Sequence, residues 1–184
     1  MTSKLQALAV SGFQVSKVLL YVLDVLSPIH YFTVSIFFFQ LVFIPEGDIF
    51  RLDKLLIPIN IESLHWFLAV VFMQEKKVVI YDSLPVEDGR EDYLTDILQY
   101  LKDEHKHKHG LDLPNVENWT TVPCPKGNAI APLQGPTNDC GVVVCLFMDL
   151  IVLNGPAMVL SQDSIQEYGR AWLCASILKR YILF

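Results

Sequence analysis

The sequence predicts an α+β domain in which a small sheet packs against a buried helix. Three observations carry this. Strand-like segments cluster between residues 54 and 81, with a near-continuous apolar run at Phe67–Phe72. Residues 91–104 carry apolar positions at Leu94, Ile97, Leu98 and Leu101, the spacing of an amphipathic helix. Cys140–Leu153 is almost wholly apolar, as expected of a helix buried on all sides.

Taken in order, residues 1–24 read as a helix, because Val15, Val18, Leu19, Val22 and Leu23 recur near the 3.6 period. Pro28 breaks that run. No Asp, Glu, Lys or Arg occurs from Val25 to Pro45, and Ile36-Phe37-Phe38-Phe39 is dense enough to raise a membrane span. Pro28, His30, Thr33, Ser35 and Gln40 weigh against a span, and a buried segment of the globular domain is the expectation. Residues 54–61 read as a strand whose Pro58 suggests an edge or a bulge. Lys76 and Lys77 mark a turn between Phe67–Phe72 and the next strand, Val78–Tyr81, so the two are expected to pair antiparallel. After the helix over 91–104, a polar loop runs from His105 to about Asn118, and Trp119–Val122 is a short strand. Residues 123–137 hold four prolines and two glycines and form a loop. Gly155-Pro156 ends the buried helix, and residues 164–182 form a last one.

The length, 184 residues, fits one domain or slightly less than two and suffices for a core without disulfides or metal. We divide it into an apolar segment, 1–45, and a main domain, 46–184. The net charge is −6, and no long basic run occurs, so nucleic acid is a poor partner. The four cysteines, Cys124, Cys140, Cys145 and Cys174, form no C-x-x-C pair, which argues against a zinc knuckle or a thioredoxin-type motif. Cys145 and Cys174 lie in apolar, helix-like runs, which suits a reducing compartment, the nucleus or cytoplasm. His105-Lys106-His107-Lys108-His109 alternates, but the interspersed lysines repel a cation, and no metal or other cofactor is expected.

A cysteine nucleophile needs a base, an orienting group and a means of holding the oxyanion. His65 opens one predicted strand and Asp82 closes the next. In an antiparallel hairpin the start of the first strand lies beside the end of the second, so the pattern brings His65 and Asp82 together. Cys140 follows a loop and opens a helix, where the positive end of the backbone dipole favours a thiolate. Asn138 and Asp139 are good capping types for that start. Singly, each residue has a plainer explanation: a structural histidine, a turn aspartate, a core cysteine. Their order and context are what point to chemistry.

Those contexts match a family. Residues from Asp48 to about Arg180 resemble the catalytic domain of the sentrin/SUMO-specific (Ulp-type) cysteine proteases. The matching pieces are Asp48-Ile49-Phe50, Leu56-Ile57-Pro58-Ile59-Asn60, Leu64-His65-Trp66-Phe67-Leu68-Ala69-Val70 and Ile80-Tyr81-Asp82-Ser83-Leu84. Gln134, six positions before Cys140, and Asn138-Asp139-Cys140-Gly141-Val142 complete the set. The resemblance implies a papain-like cysteine protease fold, a small mixed sheet packed against a helix headed by the nucleophile. It implies that Cys140 is the nucleophile, His65 its base and Asp82 the orienting acid. Gln134 would donate to the oxyanion, and Trp66 would wall a narrow tunnel for a Gly-Gly tail. The implied reaction is hydrolysis after the terminal glycine of SUMO or a related ubiquitin-like protein, by a monomer without cofactor.

The family's Trp-Leu-Asn-Asp-like opening, whose Trp closes the other side of the tunnel, has no counterpart here; the tryptophans are Trp66, Trp119 and Trp172. Residues 1–45 therefore diverge from the pattern. Two alternatives follow: a catalytically impaired module that binds a ubiquitin-like protein, and a deneddylase or deubiquitinase on the same scaffold. A membrane-tethered protease is a third, resting on Val25–Pro45.

Overall fold

A computed structural model of the chain describes residues 18–20, 23–24, 48–61, 64–84, 88–124, 138–152, 163 and 165–175. Its centre is an antiparallel meander of β3 (Lys54–Ile61), β4 (His65–Phe72) and β5 (Lys77–Tyr81), preceded in the chain by two short strands, β1 (Val18–Leu20) and β2 (Leu23–Asp24). Helix α1 (Glu91–His109) leaves the sheet after β5, and the chain returns as β6 (Thr120–Val122), parallel to β5. β1 and β2 lie parallel to β3 on its other side, so the sheet is mixed and runs β1-β3-β4-β5-β6, with β2 also on β3.

β4 is buried along nearly its whole length, as its near-continuous apolar sequence requires. Successive residues of a strand face opposite ways. Phe67 meets Tyr93 of α1 edge to face, whereas Tyr81, paired with Leu68, meets Phe147 of the second helix, α2 (Cys140–Val152). The two helices thus cover opposite faces of the sheet. Helix α2 carries apolar residues on every side, and Val143, Val144, Leu146, Phe147, Met148 and Ile151 are buried. At its far end Lys54 Nζ donates to the carbonyl of Ile151 at 2.6 Å, satisfying one of the terminal carbonyls that a helix leaves free.

Three expectations need correction. Residues 18–20 and 23–24 are strand, not helix. The apolar spacing in that stretch fits 3.6, but short apolar runs do not distinguish the two periods; an available edge of β3, with its unpaired N–H and C=O groups, favours pairing. Pro58 is not on an outer edge, because β3 has neighbours on both sides. Its lack of an N–H falls in the gap between two short ladders, one ending at Leu56 and the other starting at Ile59.

The third correction is at α1, which continues through His109 instead of giving way to loop at His105. Lys106, His107, Lys108 and His109 sit where cations complement the negative helix end. Phe50, in a turn of 3-10 helix at Ile49–Arg51, packs edge-on against the rings of His105 and His109, with centroids 4.9 and 5.9 Å away. Gly110, at φ 68°, then stops the helix by returning its N–H to the Lys106 carbonyl.

The C-terminal helical segment opens with a π turn at Ile165–Gly169 and continues through residues 170–175. Residues 176–182 of the expected helix lie outside the described residues, as do most of the 1–45 segment and all of Val25–Pro45. Among the described residues no helix is long and apolar enough to cross a membrane.

Candidate active site

His65 is the first residue of β4 and Asp82 directly follows β5. The register pairs Leu68 with Tyr81, so its continuation sets Asp82 opposite Phe67, on the face that His65 shares. The geometry follows: His65 Nε2 lies 2.7 Å from Asp82 Oδ1. The Asp82 side chain is fully buried. Its Oδ1 also accepts the Leu84 N–H at 2.8 Å, and its Oδ2 accepts Arg90 Nε–H at 2.9 Å.

Burial alone would push the Asp82 carboxyl up. The hydrogen bonds from His65 and Leu84, the charge on His65 and the Arg90 bond overcome it and hold the carboxyl below its usual value. An ionised carboxylate can only accept, so His65 carries a proton on Nε2, and Nδ1 is the nitrogen left to exchange one.

Cys140 opens α2 and is buried. The preceding carbonyl, of Asp139, accepts the Val143 N–H at 2.9 Å, closing the first turn beneath the thiol. The Asp139 side chain is itself buried and ion-pairs with Arg170 of the C-terminal helical segment. The first turn of α2 lies beside Trp66: a Cβ placed on Gly141 would stand 3.9 Å from Trp66 Cδ1. Trp66, half-buried, is the chain neighbour of His65. The structure therefore brings the His65–Asp82 pair, Trp66 and the helix start bearing Cys140 into one region. Gln134 lies outside the described residues.

The other thiols sit differently. Burial pushes the Cys124 thiol up, and its S–H donates to the Asp82 carbonyl, 3.7 Å away, a bond that only the protonated thiol can make. Burial also pushes up Cys145. Neither favours a nucleophilic thiolate at neutral pH. Cys174 is exposed on the C-terminal segment, without the helix-start position of Cys140.

The His105–His109 stretch is engaged in packing and capping. His105 Nδ1 donates to the Leu111 carbonyl at 2.9 Å, and His109 Nε2 lies 3.4 Å from Asp48 Oδ2. Among the described residues no cluster of three or more His, Cys, Asp or Glu side chains is placed to hold a metal.

Sequence reasoning missed Arg90. It stands eight residues beyond Asp82, past a stretch that reads as loop, and nothing in the spacing marks it as a partner of the carboxylate. Only the Asp88-Gly89 dipeptide, a turn signal, hints that the chain doubles back there. Arg170 escaped notice for the same reason: it lies 31 positions from Asp139 and meets it only through the packing of the C-terminal segment on α2.

Comparison with known proteins agrees with this geometry. The family model of the Ulp1 protease family, C-terminal catalytic domain, matches residues 43–177. A sentrin-specific protease of Caenorhabditis elegans is 36% identical over 100 residues, covering 54% of this chain and 13% of that protein. Ubiquitin-like-specific protease 1 of Saccharomyces cerevisiae is 31% identical over 103 residues, covering 55% of this chain and 15% of that protein. The chain thus aligns with only a small part of these relatives. Among solved structures, the SUMO protease Ulp1 with its catalytic cysteine oxidized to a sulfenic acid aligns with a TM-score of 0.57 at 26% identity, covering 74% of this chain and 57% of that one. The C-terminal Ulp1 protease domain in complex with Smt3, the yeast ortholog of SUMO, aligns with a TM-score of 0.52 at 25% identity, covering 63% and 48%.

Proposed function

Because the chain belongs to the Ulp1 protease family, we propose that it is a thiol-dependent protease that hydrolyses the peptide or isopeptide bond after the C-terminal glycine of SUMO or a related ubiquitin-like protein. The observation that carries this reading is the buried His65–Asp82 pair at 2.7 Å, next in the chain to Trp66, which lies beside Gly141 in the first turn of α2.

In the first step His65 Nδ1 accepts the Cys140 thiol proton, and the sulfur attacks the glycine carbonyl carbon. The developing oxyanion is held by the Cys140 backbone N–H and the Gln134 amide. His65 then returns its proton to the leaving amine as the C–N bond breaks, leaving a thioester on Cys140. In the second step His65 takes a proton from water, the hydroxide attacks the thioester carbonyl, and the carboxylate and the free thiol are released. Asp82 acts throughout by keeping the imidazole in one orientation and stabilising its charged form. Trp66 forms a wall for the Gly-Gly tail, whose lack of side chains lets it enter a slot that any Cβ would block. A second reading on the same scaffold is a protein that binds a ubiquitin-like partner and cleaves it poorly.

Labelling with SUMO and ubiquitin C-terminal vinyl sulfones, followed by peptide mapping, tests both readings. The expected result is a covalent adduct on Cys140 that Cys140→Ala abolishes. Labelling of Cys140 by iodoacetamide but by neither protein probe supports the binding module. An adduct on Cys124, Cys145 or Cys174 overturns the assignment of the nucleophile.

A further inference from the structure

We propose that Arg90 is a positioning residue of the active site, a fixed cation that locks the Asp82 carboxylate so that its other oxygen holds His65 in a single tautomer and rotamer. The inference rests on the protease reading for its consequence in rate, but not for its geometry.

Four observations converge on Arg90. Its Nε–H donates to Asp82 Oδ2 at 2.9 Å while His65 occupies Oδ1 at 2.7 Å, so the two oxygens of one buried carboxylate are divided between the two side chains. The guanidinium lies over the ring of Phe67, 5.2 Å from its centroid. Phe67 is in turn held edge-on by Tyr93, one turn into α1, so the head group has a wall as well as a partner. The Arg90 side chain is itself mostly buried, at 17% exposed.

The fourth observation is the backbone. Arg90 adopts φ 64°, ψ 39°, a left-handed conformation that a side-chain-bearing residue takes at some cost, and it follows Gly89 at φ 58°. This bend is held on all sides. The Arg90 N–H donates to Asp88 Oδ1 at 3.1 Å, the Gly89 carbonyl accepts the Cys124 N–H at 3.2 Å, and the Glu91 N–H donates to the Asp88 carbonyl at 3.2 Å. The N-cap of α1 receives no side-chain hydrogen bond from Arg90, although Ser, Thr, Asn or Asp would supply one there. The side chain is directed to the carboxylate instead of to its own helix.

The chemical consequence concerns freedom of the carboxylate. With Leu84 and His65 on Oδ1 alone, the carboxylate could rotate about its Cβ–Cγ bond and present either oxygen. The planar Arg90 Nε–H on Oδ2 removes that rotation, and the imidazole inherits the constraint. A misaligned imidazole slows both proton transfers while leaving substrate binding in place.

The test uses the full chain with Arg90→Gln, which removes the charge, and Arg90→Lys, which keeps it but loses the planar Nε–H. The expected kinetic result for Arg90→Gln is a kcat roughly 10- to 100-fold lower on a SUMO C-terminal amide, with KM changed less than about twofold. The acid limb of its kcat/KM profile should move to higher pH, since the carboxylate loses a neighbouring cation and protonates sooner. Arg90→Lys should keep the wild-type pH profile while losing part of the rate, and it provides the comparison if Arg90→Gln does not fold.

A second readout needs no activity. In a Cys140→Ala background, which removes proton exchange with the thiol, imidazole 15N shifts should show His65 protonated on Nε2 alone. Adding Arg90→Gln, or Arg90→Lys to a smaller extent, should introduce the Nδ1–H tautomer. An unchanged tautomer and an unchanged pH profile in both variants overturn the inference. A wild-type chain that cleaves no ubiquitin-like substrate overturns the protease reading, while the 15N comparison still decides the role of Arg90.

Discussion

His65 and Asp82 depend on each other more than either depends on its own backbone. Asp82→Asn keeps the shape but replaces an oxygen acceptor pair with an amide, which can present an N–H to His65 and favour the wrong tautomer. It also leaves the Arg90 guanidinium without an anion. We expect kcat to fall by about 10⁴-fold, the scale of the analogous change in serine proteases. His65→Ala should cost as much or more, because it removes the base itself. A steady-state comparison of the two variants with Cys140→Ala checks this, and full activity of Asp82→Asn across pH would remove Asp82 from the mechanism. Arg90 and Arg170 show why single positions are hard to read: Arg90 reaches its carboxylate through a left-handed bend eight residues on, and Arg170 only once the C-terminal segment has packed on α2.

At the scale of elements, Cys140 is positioned by how α2 seats against its neighbours. One side rests on β4, and the other meets the C-terminal helical segment at Gly169, where a Cβ would come within 3.1 Å of Leu146 Cδ1 and 3.2 Å of Val142 Cγ1. Both contacts are to side-chain methyls, so Gly169→Ala should be accommodated by shifts of a few tenths of an ångström. Gly169→Val has no such room. It should lower stability by about 1–3 kcal/mol, the usual cost of overpacking, and tilt the first turns of α2. Thermal melts of the two variants, read beside their labelling rates at Cys140, check the prediction. Equal melting temperatures for Gly169→Val and the native chain would mean that the segment is not clamped on α2. The hairpin of β4 and β5 is the other seat, because its antiparallel register sets the spacing between His65 and Asp82.

For the whole molecule, the buried ionised carboxylate ties stability to pH. The Asp82 carboxyl sits below its ordinary value of 3.8 in the folded chain. The folded state therefore binds that proton less readily than the unfolded state does. Its contribution is complete above the unfolded value and drains away as pH falls from there through the folded value. Denaturant titrations between pH 6 and pH 2 should show stability declining below about pH 4, and the decline should be shallower in Asp82→Asn. A decline of the same steepness in both proteins would assign the acid sensitivity to other carboxyls. The same global view explains β1 and β2: a mixed sheet with an open β3 flank recruits them through backbone pairing.

Much of this arrangement is legible in the amino-acid sequence. Near-continuous apolar runs define β3, β4 and β5, because a strand buried on both faces tolerates little else. The apolar stretch from Cys140 defines α2 for the corresponding reason in a helix. Hairpin logic then suffices to set His65 beside Asp82, since that juxtaposition depends on local pairing alone. What local pattern could not decide is everything that needs a partner from far along the chain. The strands at Val18–Leu20 and Leu23–Asp24 exist because β3 offers an edge, and a helical spacing of apolar residues says nothing about that edge. The last turn of α1 persists because Phe50 and Asp48 meet its histidines, 55 or more residues from the turn that supplies them. Arg90 reaches Asp82 only because a left-handed bend, held by Asp88 and Cys124, swings it back over Phe67. Propensity and periodicity are summed over neighbours in sequence, whereas these three features are fixed by neighbours in space, and only the tertiary structure supplies those.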